Sequence, residues 1–226
     1  MTKSTTSRPP LSPTTRSTPT RAKDRARADR AELDAVLDAG LICHLGVVLG
    51  GGPVVIPTSY GRDGNTLYLH GSTGAGNLRA ALEGDISIAV TLVDGLIYAR
   101  SAMHFSMNYR SAVVRGRAVE VTDADERMHA LRIVTEHAAP GAWDRVRRPD
   151  KKELAATKVL ALDLTEASVK VRTGGPNDDT EDIETGGVWA GVLPIRQVWG
   201  APVPSADLEP GIEIPQDVLD RSPRGQ

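Results

Sequence analysis

The chain has 226 residues, 40% of them apolar, which suits one soluble globular domain. A single cysteine, Cys43, excludes an internal disulfide framework and a Cys-rich zinc site, and no apolar run approaches the ~18 residues of a membrane-spanning helix. The net charge of −2 combines a basic arm, +6 over residues 1–30, with an acidic remainder of −8.

Residues 1–23 hold eleven Ser/Thr, four Pro and almost nothing apolar, so a disordered, solubilising tail is expected there. A basic arm on an acidic body is one pattern of nucleic-acid contact. The composition favours the tail, and nucleic acid is not the expected partner. The arm lacks the apolar stretch of a secretory signal, and the body is read as cytoplasmic.

Asp24 to Ala39 carries apolar residues on one helical face, with Gly40 placed to end it. A strand rhythm follows over residues 41–49, the glycines Gly50-Gly51-Gly52 turn the chain, and Pro53 to Tyr60 forms a second strand. Arg62-Asp63-Gly64-Asn65 is a hairpin signal before a third strand, Thr66 to Gly71. A Gly-rich stretch leads into a short helix around Asn77 to Leu82. Ile86 to Val93 alternates as a strand, Asp94-Gly95 is expected to turn it, and Tyr109 to Val121 is another long strand. Asp123 to Ala139 predicts an amphipathic helix capped by Thr122 and stopped by Pro140-Gly141. A short helix over 149–157 precedes an alternating run over 159–171, a polar loop over 173–187, an apolar patch over 188–194 and a Pro-rich tail over 201–226. Strands joined mostly by hairpins, without a βαβα rhythm, point to an antiparallel sheet closed into a barrel.

Three places carry candidate chemistry. The loop from Leu69 to Leu78 runs from a strand into a helix, where backbone N–H groups and the helix dipole suit a phosphate, with Ser72, Thr73 and Asn77 as added donors. It matches neither the Walker loop nor the dinucleotide fingerprint, and three glycines also make a plain tight connection. The five histidines, 44, 70, 104, 129 and 137, show no metalloprotease spacing. Cys43 and His44 are neighbours, but strand alternation sends them to opposite faces, so Cys43 is read as a core residue. The segment from Ala99 to Ser111 gathers the only Phe, two of four Met and many hydrogen-bonding groups, which suits a planar ligand or a subunit interface.

These residues resemble the pyridoxamine 5′-phosphate oxidase-like family of FMN-binding split barrels, in its nitroimidazole-resistance-type branch. The resemblance rests on Pro57-Thr58-Ser59-Tyr60, Leu67 to Ser72, Asp94-Gly95-Leu96 with Ala99-Arg100-Ser101, Met107 to Ser111 with Gly116, and Trp189 to Pro194. It spans residues 24–200 and implies a mainly β, antiparallel split β-barrel with a few peripheral α-helices. It also implies a homodimer with the cofactor at the subunit interface, and a flavin-dependent oxidoreductase acting on a small molecule. By the resemblance, Pro57, Thr58 and Tyr60 follow the isoalloxazine and ribityl. His70, Gly71, Ser72 and Asn77 match the phosphate region, with Arg110 and Ser111, and Trp189 closes over the flavin. His104 and Asn108 are the polar groups expected near a substrate.

Two departures qualify it. Where the family places Lys or Arg in the phosphate loop the chain reads Ala75-Gly76-Asn77, leaving Arg79 or Arg110 as counter-charge and F420 or haem as alternative ligands. The Arg- and His-rich C-terminal segment of true pyridoxamine-phosphate oxidases is missing, so vitamin B6 synthesis is not expected. A flavin-, F420- or haem-binding module without turnover is the alternative function.

Overall fold

The computed structural model describes residues 10–221. In its first half β1 (Ala26–Arg27) and α1 (Arg30–Ala39) precede β2 (Cys43–Leu49), β3 (Gly52–Thr58), β4 (Tyr60–Asp63), β5 (Thr66–Ser72) and α2 (Gly76–Glu83). The long strands β6 (Ile86–Tyr98) and β7 (Ser106–Gly116) follow, then β8 (Val119–Glu120) and α3 (Ala124–Ala138). The rest is α4 (Lys151–Ala156), β9 (Thr157–Asp163), β10 (Ala167–Arg172), α5 (Thr180–Thr185), β11 (Gly191–Pro194) and α6 (Gln216–Leu219).

All strand pairs are antiparallel, in two sheets. One has the order β1-β10-β7-β6-β2-β3 with β11 also on β6, and the other the order β4-β5-β9-β8. The chain changes sheet between β3 and β4, at Ser59, so the strands do not close into the single hydrogen-bonded sheet that their hairpin spacing suggests. This is the split barrel. The main core lies between the sheets, where Leu45, Tyr60, Leu67, Ile88, Leu160 and Leu162 are fully buried, and α1 adds Leu33 and Leu37 to it. A second core forms where α3 packs Ala130 and Val134 against Tyr68, Val159 and Ala161.

Local chemistry explains the joints. The β2–β3 turn is Gly50-Gly51, both at positive φ (62° and 83°), as a type I′ hairpin requires. Between β4 and β5 the turn is Gly64-Asn65, in which Gly64 alone takes a positive φ (56°). Helix α1 starts at Arg30 instead of Asp24, because the Asp29 carboxylate accepts from the Ala31 N–H at 2.9 Å while Ala26 and Arg27 pair with β10. Asp123, not Thr122, caps α3, accepting from the Asp125 and Glu126 N–H groups. The expected turn at Asp94-Gly95 is a bulge within β6, which runs on to pair with β11. The run 159–171 divides into β9 and β10. Val159 to Leu162 are all buried because β9 lies between the two cores, so alternation is lost there.

In place of a disordered tail, residues 10–23 lie against the body; residues 1–9 of that expectation fall outside the described residues. Leu11 is buried, the Leu11 N–H donates to Ala28 O and the Ser12 N–H to Ala167 O. Arg16 bonds both Glu166, through Nε at 2.7 Å, and Asp85. The Arg16 and Thr14 hydrogen bonds hold the Glu166 carboxyl at about 2, below its ordinary 4.5. A depressed carboxylate stabilises the folded state above the unfolded-state value and stops doing so as pH falls through the folded one. The anchorage of residues 11–18 is therefore expected to be intact at pH 6 and to weaken between about pH 4.5 and 2. In hydrogen exchange the Leu11 and Ser12 amides should lose protection across that window before the β6–β7 amides do; simultaneous loss would refute the anchor.

Candidate functional site

The loop between β5 and α2 runs from a strand end into a helix N-terminus. Ala75 holds the N-cap position of α2 with extended backbone and no side-chain acceptor, so the N–H groups of the first helical turn have no side-chain cap. The Ser72 Oγ accepts from the Gly74 N–H at 3.2 Å, and the Thr73 N–H donates to Ala156 O at 2.9 Å, which ties the loop to the end of α4. A Cβ on Gly71 would lie 2.8 Å from Leu78 Cδ1, so the end of the Leu78 side chain would have to shift. Arg79, one turn into α2, bends back with Nη1 3.5 Å from Thr73 O. It is the cation that this loop contains.

His70 precedes the loop, opposite Val159 of β9. Its Nδ1 is buried without a hydrogen-bond partner among the described residues, and burial lowers its pKa, which keeps the ring neutral. Three other histidines are engaged: His104 with Asp179 at 3.2 Å, His129 with Asp63 at 2.8 Å and His137 with Gly40 O at 2.6 Å. His44 is exposed on β2 beside buried Cys43, as alternation demands. Burial pushes the Cys43 thiol up to about 12, so it is not a nucleophile.

Pro57 and Thr58 lie on β3, an edge strand, opposite His44 and Cys43. Pro57 is exposed and Thr58 half-buried. The other end of this strand pair, at Leu49, meets the loop: a Cβ on Gly76 would stand 3.8 Å from Leu49 Cδ1. An elongated ligand along β2–β3 would run some five residues, ~17 Å, from the loop to Pro57. Tyr60 cannot join it. The residue is fully buried, and its hydroxyl lies 2.5 Å from Leu37 O and 2.9 Å from Gly40 O, closing the end of α1 onto the barrel.

Arg110 is separated from the loop within one chain. It stands opposite Leu92 of β6, beyond the Cys43 end of β2, and grips Asp94 through Nε at 2.9 Å and Nη2 at 2.7 Å. The pair lines a cavity of about 480 Å³ with Thr91, Val93 and residues 195–198. Ser111 opens instead into a cavity of about 370 Å³ on the other side of β7.

Tyr98 meets Phe105 and Trp189 edge-on, both at 5.6 Å between ring centres. Trp189 is 67% exposed, and its indole folds onto Gly191, where a Cβ would lie 2.9 Å from Cζ2. Asn108, expected near a substrate, is committed to the fold: its Nδ2 donates to Gly174 O at 3.1 Å and its Oδ1 accepts from Arg172 at 2.8 Å. Arg100, which the motif reading gave no role, fixes the same loop through Asp178.

A family model described as pyridoxamine 5′-phosphate oxidase matches residues 29–171, more than half of the chain. The chain belongs to the pyridoxamine 5′-phosphate oxidase-like family. Among solved structures of similar fold, the flavocytochrome Anf3 from Azotobacter vinelandii is 39% identical, with a TM-score of 0.89, covering 94% of this chain and 99% of that one. The FAD and heme binding protein from Mycobacterium smegmatis is 37% identical, with a TM-score of 0.83, covering 87% and 97%. A protein assigned to 5-nitroimidazole antibiotic resistance from Bacteroides thetaiotaomicron, 24% identical with a TM-score of 0.56 over 65% and 86%, shares the fold. No curated protein matches the chain.

For this pyridoxamine 5′-phosphate oxidase-like chain, the donor chemistry of the Ser72–Arg79 stretch fits a phosphate-bearing flavin: N–H groups without a side-chain cap, two hydroxyl side chains and one cation lie within it. His44 stands exposed on β2, whereas the unpartnered Nδ1 of His70 is enclosed by the fold. No helix of the described residues is long and apolar enough to cross a membrane.

Proposed function

We propose that this protein is a flavin-dependent oxidoreductase that binds FAD together with a haem, and that two copies hold the cofactors between them and act on a small molecule. The observation that carries the reading is the donor set at Ser72–Arg79, read as an anion cradle, in a chain alike over nearly its whole length to a flavocytochrome. The expected FMN gives way here to FAD because the similar heme-binding protein is named for FAD. A bound flavin supplies hydride and single-electron transfer, so the protein need only bind, orient and exclude water. In that division of labour the loop fixes the phosphates, Arg79 balances their charge, Pro57 and Thr58 border the ring end, and Trp189 with Tyr98 and Phe105 offers an apolar cover. His44, exposed on β2, is the imidazole offered to a haem iron.

The engagement of His104 and Asn108 favours a second reading, an electron carrier without small-molecule turnover. One experiment addresses both. Purified protein is incubated separately with FAD, FMN, F420 and haem, filtered, and its absorption spectrum recorded; NADH, NADPH and reduced F420 are then offered. Retention of FAD and haem is the expected result, and retention of neither overturns the proposal. Catalysed oxidation of a reductant marks the oxidoreductase, whereas retention without it marks the carrier.

A further inference from the structure

We infer that residues 195–214 form a strap that each copy lays across the outer face of the larger sheet of a second copy; this rests on the homodimer proposed above. The strap is tethered at both ends. At its start Ile195 N–H donates to Asp94 O, continuing β11. Beyond its end Asp217 pairs with Arg145 at 2.8 Å, and Arg221 stacks over Trp199 at 4.2 Å. Between these points residues 203–214 are all exposed, and their backbone hydrogen bonds stay within the segment, from Leu208 N–H to Ser205 O and from Ile212 N–H to Glu209 O. A segment with these two local backbone hydrogen bonds, and with Val203 90% exposed and Leu208, Ile212 and Ile214 also outward, presents an apolar surface to something outside its own fold.

Charge names the occupant. The strap carries Asp207, Glu209 and Glu213, and no Lys or Arg stands between Arg196 and Arg221. The outer face of the larger sheet has the complementary pattern. A cavity of about 370 Å³ over β7 and β10 is lined by Arg21, Arg115 and Lys170, while the Arg16 beside them is already engaged by Glu166 and Asp85. Through Arg16 and Arg115 it continues into a cavity of about 250 Å³ over β2 and β3, where Val48, Pro53 and Val55 form an apolar wall. One groove thus offers a basic end and an apolar end to a strap with acidic and apolar residues interleaved. Two copies related by a two-fold axis make this contact twice.

Mixed-isotope carbodiimide crosslinking tests the strap. Light and heavy full-length protein are mixed, subunit exchange is verified by native mass spectrometry, and Lys170 is coupled to neighbouring carboxylates. Peptides joining Lys170 of one isotope to Glu209 or Glu213 of the other are expected. Same-isotope products alone, or none, from a species that sediments as a dimer would overturn the strap and leave the homodimer standing. A monomer at every concentration would remove the homodimer as well. The double variant Val203→Asp, Ile212→Asp alters only exposed positions, so each chain should fold; it should raise the dimer dissociation constant at least tenfold, and an unchanged constant would overturn the strap.

Discussion

Gly61→Ala should destabilise the protein by about 3 kcal/mol, the upper part of the range for overpacking a tight contact. Gly61 lies on β4, and a Cβ there would stand 2.8 Å from Ile133 C, Ile133 O and Val134 Cα. All three atoms are main chain of α3, so no rotamer change relieves the clash and the helix itself must move. That movement pulls Ala130 and Val134 away from Tyr68, Val159 and Ala161, which make up the second core. Fewer unfolded conformations for alanine than for glycine return only about 0.4–1 kcal/mol. Gly84→Ala is the control, since nothing stands within 4 Å of its added Cβ and its φ of −156° suits any residue. Urea denaturation should show a large drop in midpoint for the first variant and almost none for the second. Equal midpoints would mean that α3 does not sit this close to β4.

The consequence reaches the site. Tyr68, beneath α3, is two residues from His70 and three from Gly71 on the same strand. Displacing α3 therefore disturbs the strand that delivers the loop, and Gly61→Ala should also weaken flavin retention at temperatures well below unfolding.

Much of this architecture is legible in the residues because a local rule decides it. Gly50, Gly51 and Gly64 mark hairpins, since glycine accepts their positive φ without strain. The stretch proposed above as the phosphate site is legible too, as glycines and short hydroxyls between a strand and a helix. What is not legible depends on partners far along the chain. Arg16 reads as one charge in a polar tail until Asp85 and Glu166, 69 and 150 residues away, are placed beside it. Tyr60 and Asn108 read as ligand-facing polar groups until backbone carbonyls at Leu37, Gly40 and Gly174 claim them. A polar side chain near a motif says that a hydrogen bond is needed and leaves open whether the partner is ligand or fold. The same ambiguity hides β9, whose buried positions on both faces obey neither period.

Two changes at the proposed cradle should move flavin binding by the largest factors. Ala75→Asp puts a carboxylate at the N-cap of α2, where the backbone already has the extended conformation of a capping residue. It should stabilise the helix by about 1 kcal/mol by accepting from the N–H groups of the first turn. Those donors are then spent, and a negative charge stands where the phosphate would lie, so FAD affinity should fall a hundredfold or more while the melting temperature rises. Arg79→Ala removes the cation that bends over Thr73 O. A charge-assisted hydrogen bond contributes about 1.5–3 kcal/mol, and the solvent exposure of Arg79 puts the loss at the lower end, roughly tenfold in FAD dissociation constant. Arg79→Lys should recover part of it, and added salt should shrink the difference. Riboflavin, which has no phosphate, separates binding from folding: both variants should bind it as the parent chain does. Arg110→Ala should alter FAD affinity less than Arg79→Ala, because Asp94 already takes the Nε–Nη2 edge of the Arg110 guanidinium and offsets its charge. An equal loss for riboflavin and FAD would place the phosphate elsewhere, and unchanged FAD affinity in Ala75→Asp would remove the cradle from the site.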